Sequence, residues 1–164
     1  MSIAKRFGAA LGTLMVAVGL VVLPTSPASA DASYMPLRAK HSGKCLEVAD
    51  WSGANGAAVR QWDCTGGANQ QWTWGPNMSF VNKHTGKCLE IGGWATGSGA
   101  QARQWDCTGG KNQGWEIPSA DGGYAMHLQN RHSWLVLEIG GFSTANGVVA
   151  SQWSNNDGNN QKWF

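Results

Sequence analysis

Charge is scarce in this chain: only 13% of its 164 residues are Asp, Glu, Lys or Arg. The formal excess of +2 is supplied entirely by Lys5 and Arg6, and beyond them the balance is zero. Nucleic acid therefore loses its electrostatic argument. Runs of Lys, Glu, Leu and Ala suited to long helices are also missing. The apolar stretch from Ala9 to Leu23 is too short and too early for a good membrane span. No close Cys or His spacing supplies a four-ligand zinc set. No Ser-His-Asp or Cys-His arrangement stands out, so neither a metal nor another cofactor is expected.

What is abundant is Gly (23 residues) and Trp (10 residues). Many short segments are separated by Gly, Asn, Asp and Ser, which reads as an all-β chain with frequent turns. The N-terminus has its own pattern. Lys5 and Arg6 precede the apolar stretch, Pro24 and Pro27 break it, and Ala28-Ser29-Ala30 is the small-x-small sequence that signal peptidase reads. The expectation is a signal peptide over 1–30, a single mature domain over 31–164, and secretion without membrane insertion after cleavage. Export places the four cysteines in an oxidising compartment, where pairing is the default.

Self-similarity decides the architecture. Gly43-Lys44-Cys45-Leu46-Glu47-Val48 recurs as Gly86-Lys87-Cys88-Leu89-Glu90-Ile91, and in degraded form as Leu135-Val136-Leu137-Glu138-Ile139. Arg60-Gln61-Trp62-Asp63-Cys64 recurs as Arg103-Gln104-Trp105-Asp106-Cys107 and as Ser151-Gln152-Trp153-Ser154-Asn155. Each unit closes on Asn-Gln-x-Trp, at Asn69 to Trp72, Asn112 to Trp115 and Asn160 to Trp163. The first step is 43 residues and the second 48, and the surplus falls in the turn-rich stretch Pro118 to Gly123, read as a longer inter-repeat loop. Apolar residues alternate over short runs, which predicts about four strands per repeat. Three such units, at about 34–76, 77–117 and 122–164, can close into one pseudo-threefold barrel capped by hairpins.

These motifs, three Gln-x-Trp in phase with Cys-Leu-acid-Val upstream and Gln-Trp-Asp-Cys between, resemble ricin B-type lectin repeats. The variant is the one common in secreted bacterial carbohydrate-binding modules of family 13. The resemblance covers the whole mature chain. It implies an all-β β-trefoil with weak, multisite sugar binding, and Trp72, Trp115 and Trp163 in the core. Symmetry favours disulfides Cys45–Cys64 and Cys88–Cys107 over the other two connectivities. Repeat three has Val136 and Asn155 at those positions and should be the softest third.

Each sugar site would combine an aromatic platform with polar groups. Trp62, Trp105 and Trp153 occupy the stacking position of ricin-like sites, and read with period two they point away from Val59 and Gln61. The plainer alternative is that they cap the core. Glu47, Glu90 and Glu138 stand where the resemblance expects Asp and can accept hydrogen bonds from sugar hydroxyls. Asn69, Asn112 and Asn160 supply an amide, which Gln70, Gln113 and Gln161 can orient. Trp51, Trp94 and Phe142 either wall each pocket or pin a loop. His41, His84 and His132 recur in phase beside hairpin turns. Glycoside hydrolysis needs two carboxylates facing one bond, and the glutamates lie in three separated places, so no catalysis is expected. The reading is a secreted lectin that binds a polysaccharide or glycan. The alternative is a protein-binding trefoil, such as an inhibitor, using the surplus loop. Arg60 and Arg103 add a long donor that Ser151 lacks, which predicts tighter binding at the first two sites than at the third.

Overall fold

Alternation at period two sets the hairpins. In the computed structural model, which describes residues 33–164, β1 (Met35–Pro36), β2 (Cys45–Val48), β3 (Val59–Trp62) and β4 (Gln71–Gly75) form repeat one. Repeat two contains β5 (Ser79–Asn82), β6 (Cys88–Ile91), β7 (Ala102–Trp105) and β8 (Trp115–Glu116). The signal peptide expected over 1–30 lies outside the described residues. In β2 and β3, Cys45 faces Trp62, Leu46 faces Gln61, Glu47 faces Arg60 and Val48 faces Val59. Leu46, Val48, Val59 and Gln61 are fully buried on the inner face. Cys45, Glu47, Arg60 and Trp62 share the other face, as strand geometry requires.

Repeat two keeps that register, with Glu90 opposite Arg103. So does repeat three, where Glu138 of β12 (Val136–Ile139) faces Ser151 of β13 (Ala150–Trp153). Consecutive repeats are joined by strand pairs that place Trp72 opposite Asn82 and Trp115 opposite Asn130, the latter in β11 (Gln129–Asn130). The chain then closes on itself: Trp163 bridges to both Ala39 and Met126, and Arg38 and Phe164 exchange backbone hydrogen bonds of 2.8 and 3.0 Å. Closure removes open sheet edges, and the result is a β-trefoil.

The three closing-motif tryptophans fill its centre. Trp72, Trp115 and Trp163 are fully buried. Their indole N–H groups donate to the carbonyls of Leu46, Leu89 and Leu137 at 2.9, 3.1 and 3.1 Å, so no polar atom is stranded. A second set of buried groups locks repeats together. The Gln61 amide donates to the Ser143 and Ala145 carbonyls, Gln104 to Ser52 and Ala54, and Gln152 to Ala95 and Gly97. Each glutamine thus holds a loop of a different repeat, in a cyclic pattern.

Disulfides Cys45–Cys64 and Cys88–Cys107 are formed, each stabilising by about 3 kcal/mol in the chain-entropy account. In repeat three the equivalent loop is held by side-chain turns: Asn155 Oδ1 accepts from Asp157 N and Asn156 Oδ1 from Gly158 N. The surplus stretch is more ordered than a loop. It forms a small hairpin of β9 (Ser119–Ala120) and β10 (Ala125–Met126), turning through Asp121, Gly122 and Gly123 at positive φ. Two glycines make that left-handed turn accessible.

Candidate functional site

On the outer face of each hairpin, register brings the expected polar residues together. Glu47 Oε2 accepts from Gln70 Nε2 at 2.9 Å and from Asn69 Nδ2 at 3.3 Å. Glu90 receives Gln113 and Asn112 at 3.0 and 3.2 Å, and Glu138 receives Gln161 and Asn160 at 3.0 and 3.3 Å. All nine side chains are buried, the glutamates at 3–6% exposure. Each Gln also spans the turn, its Oε1 accepting from the backbone N–H of Thr65, Thr108 or Asn156. The Glu–Asn–Gln cluster is therefore a preorganised floor, with only the edge of the carboxylate near solvent.

The aromatic walls stand above this floor. Trp62 and Trp105 are half-buried and Trp153 is exposed. Each packs its edge near a glycine of another repeat: Trp62 near Gly147, Trp105 near Gly56 and Trp153 near Gly99. Those glycines hold φ of 85–86°, a left-handed conformation that a side chain there would strain. Trp51, Trp94 and Phe142 are exposed by half or more. Trp51 and Trp94 sit where either reading of this second set would place them. Trp51 lines a cavity of about 210 Å³ with Glu47, Asp50, Arg60, Trp62 and Asn69, and Trp94 lines its counterpart of about 200 Å³ with Glu90, Arg103, Trp105 and Asn112. They are also pinned: a Cβ on Gly67 would meet Trp51 at 2.8 Å, and one on Gly110 would meet Trp94 at 2.9 Å.

The histidines serve these loops. His84 and His132 donate from Nε2 to the carbonyls of Trp51 and Trp94 at 3.0 and 3.1 Å, with each imidazole edge-on to the indole. His41 reaches the Ser143 carbonyl at 2.8 Å, beside Phe142. Each holds its loop in its own repeat pair, apart from the others.

Arg60 and Arg103 fold back onto their own clusters. Arg60 donates from Nε to Glu47 Oε1 and from Nη2 to Asp50 Oδ1, both at 2.9 Å, and its guanidinium lies 4.4 Å over the Trp62 ring. Arg103 donates to Glu90 Oε1 at 2.7 Å and lies 4.5 Å over Trp105. The signal was present: Arg60 stands opposite Glu47 and two residues from Trp62, so one strand face must hold all three. Outside the cluster, the Lys44 ammonium and the Asn146 amide hold the Asp63 carboxyl below the ordinary range, and Lys87 and Asn55 do so for Asp106.

Each of the three hairpins thus carries a buried carboxylate, two amides and two flanking aromatic residues, and the class of protein is a β-trefoil with three equivalent clusters. The chain belongs to the ricin-type β-trefoil lectin domain family, whose model matches residues 33–163. Among solved structures it is similar to ThreeFoil, a designed threefold-symmetric protein, with 37% identity, a TM-score of 0.75, and coverage of 79% of this chain and 95% of that one. It is also similar to part of an exo-β-1,3-galactanase from Clostridium thermocellum, with 31% identity and a TM-score of 0.74 over 81% of this chain and 29% of that one. A 32-residue stretch is 50% identical to Serine protease 1 of Rarobacter faecitabidus, so the chain spans 6% of that protein's length, and the match takes in 20% of this chain.

Proposed function

We propose that this protein is a secreted, non-catalytic lectin that binds a polysaccharide or glycan through up to three shallow sites, one per repeat. One observation carries the reading. In all three repeats a large aromatic residue is held at positive φ on the rim of the cluster: Trp51 at 55°, Trp94 at 55° and Phe142 at 52°. For a bulky residue that conformation costs about 1–2 kcal/mol. A strain repeated three times to present a half-exposed ring beside a buried carboxylate suits one wall of a pyranose site, the other being Trp62, Trp105 or Trp153. The floor then supplies acceptors for hydroxyls.

Catalysis does not fit this arrangement. Each glutamate is hydrogen-bonded within its own repeat, whereas glycoside hydrolysis uses paired carboxylates across one bond. Secretion is supported by the leader pattern before Asp31 and by the two disulfides. Affinity at one shallow site should be about millimolar to tens of micromolar, raised on a polymer by avidity. Pull-down on immobilised polysaccharides, with a glycan array, tests the reading, and β-1,3-galactan is a first probe because of the similarity to the galactanase module. Retention by no carbohydrate would refute it. Tyr124, 88% exposed on the repeat-three hairpin, favours a second reading as a single-loop protein binder. Tyr124→Ser should leave polysaccharide retention unchanged if the lectin reading holds.

A further inference from the structure

The three clusters share a plan but not an occupant. In repeats one and two the guanidinium lies between the glutamate and the indole face, bonded to one and stacked on the other. A pyranose that stacks on Trp62 while donating to Glu47 needs that same space, and so does one on Trp105 and Glu90. Repeat three has Ser151 opposite Glu138. There Glu138 Oε2 accepts from Asn160 and Gln161, while Oε1 accepts no hydrogen bond from any of the described residues, although the side chain is 6% exposed. Trp153, with no cation over its ring among the described residues, is 44% exposed.

A further feature belongs to repeat three alone. The turn entering β12, the strand that carries Glu138, holds Trp134 at φ 62°. Repeats one and two have Gly43 and Gly86 there at 69° and 67°. A bulky residue in the left-handed region is a backbone outlier, and this one leaves its ring 61% exposed. Repeat three thus combines a nearly buried carboxylate with one open oxygen, an uncovered indole, and a second exposed indole on the adjoining turn. A carboxylate so placed is a strong acceptor for a hydroxyl.

We propose that repeat three is the sugar-accepting site of this protein and takes a neutral pyranose, which donates a hydroxyl to Glu138 Oε1 and stacks on Trp153. In repeats one and two the guanidinium of Arg60 or Arg103 lies between the glutamate and the stacking indole, on the wall of the cavity that Trp51 or Trp94 also lines. The inference rests on the carbohydrate-binding reading and reverses the ranking expected from sequence, because the arginines compete with the ligand instead of reaching for it. The ligand is neutral because a uronic acid would bring its carboxylate to Glu138 with no cation at position 151.

The test is a titration of the full chain followed by the indole N–H signals in NMR. The probes are the methyl β-glycosides of galactose, glucose and xylose, with glucuronate alongside, and tryptophans are assigned by single Trp→Phe variants. A neutral glycoside should move the Trp153 signal and leave those of Trp62 and Trp105 in place, while glucuronate moves none. Ser151→Arg should weaken that binding at least tenfold. Arg103→Ser should make Trp105 respond and raise the stoichiometry from one to two. A wild-type response at Trp51, Trp62, Trp94 or Trp105 with Trp153 silent overturns the proposal and leaves the lectin reading standing. A responsive Trp153 with Trp105 still silent in Arg103→Ser overturns the role given to arginine. Silence of every indole, together with no retention on any polysaccharide, overturns both readings.

Discussion

Gln104→Met removes a lock between repeats while nearly keeping its volume. Gln104 is fully buried and makes three side-chain hydrogen bonds. It donates to the Ser52 and Ala54 carbonyls at 2.7 and 2.9 Å and accepts from Thr85 Oγ1 at 2.8 Å. Methionine is similar in length and tolerates burial, so the substitution isolates the polar contribution. At about 0.5–1.5 kcal/mol per hydrogen bond, the loss is about 3 kcal/mol. For a domain of this size that lowers Tm by about 10 °C, measured by thermal unfolding with the disulfides intact. The location of the effect is diagnostic. Gln104 belongs to repeat two, but its two acceptors lie in the loop of repeat one. Hydrogen exchange should accelerate in Ser52 to Ala57 while the β6 amides stay protected. A Tm change below about 3 °C, or faster exchange confined to repeat two, would refute the idea that buried amides couple the repeats.

Two further outcomes follow from the geometry. Gly110→Ala places a Cβ 2.7 Å from Asn112 Oδ1 and 2.9 Å from Trp94, so the Trp94 indole N–H should shift in NMR while the fold, read by far-UV circular dichroism, is retained. Peptide mapping without reduction should find Cys88 linked to Cys107, and Cys88→Ser with Cys107→Ser should lower stability by about 3 kcal/mol in urea unfolding.

Much of the fold was legible because each repeat states its register three times. The alternation that put Val59 and Gln61 on one face and Trp62 on the other also fixes which residues face Glu47, so the polar cluster followed from pairing. The partners of Gln61, Gln104 and Gln152 did not, since they are carbonyls of a loop in another repeat, 50 to 84 residues away. Local pattern carries no information on such contacts. The inward fold of the arginines was not legible for a different reason. An exposed strand Arg can reach outward or fold back, and the choice depends on whether a buried carboxylate and an indole face lie within its arc. The hairpin at Ser119 to Met126 looked like a loop because its strands are only two residues long, and its stability comes from what it touches.

That contact predicts how the unstapled repeat responds to pH. Lys162, in the variable position of the third Gln-x-Trp motif, is nearly buried and lies 2.8 Å from Asp121 on the hairpin and 3.0 Å from Asp157 in the loop that lacks a disulfide. Lys40 also pairs with Asp121, and His127 Nε2 lies 3.3 Å from Asp157. Lys162 holds both aspartate carboxyls below their ordinary value of 3.8, and the two aspartates raise Lys162 above 10.5. A carboxyl lowered by folding contributes stability that is present above its unfolded pKa and lost as pH falls through the folded one. A raised lysine contributes below its unfolded pKa and loses it as pH climbs through the folded value. The ionic tie therefore holds from about pH 4 to about pH 10 and weakens at both ends, whereas the disulfides of repeats one and two do not titrate across the acid limb. Urea midpoints of wild type and Lys162→Met should differ most near neutral pH and converge toward pH 2. Exchange at neutral pH should be faster in the variant at Asp121 to Met126 and at Asn155 to Gly158, ahead of repeats one and two. A midpoint difference that is constant from pH 7 to pH 2 would show that Lys162 acts through its buried methylenes and that the ionic tie does not close the third repeat.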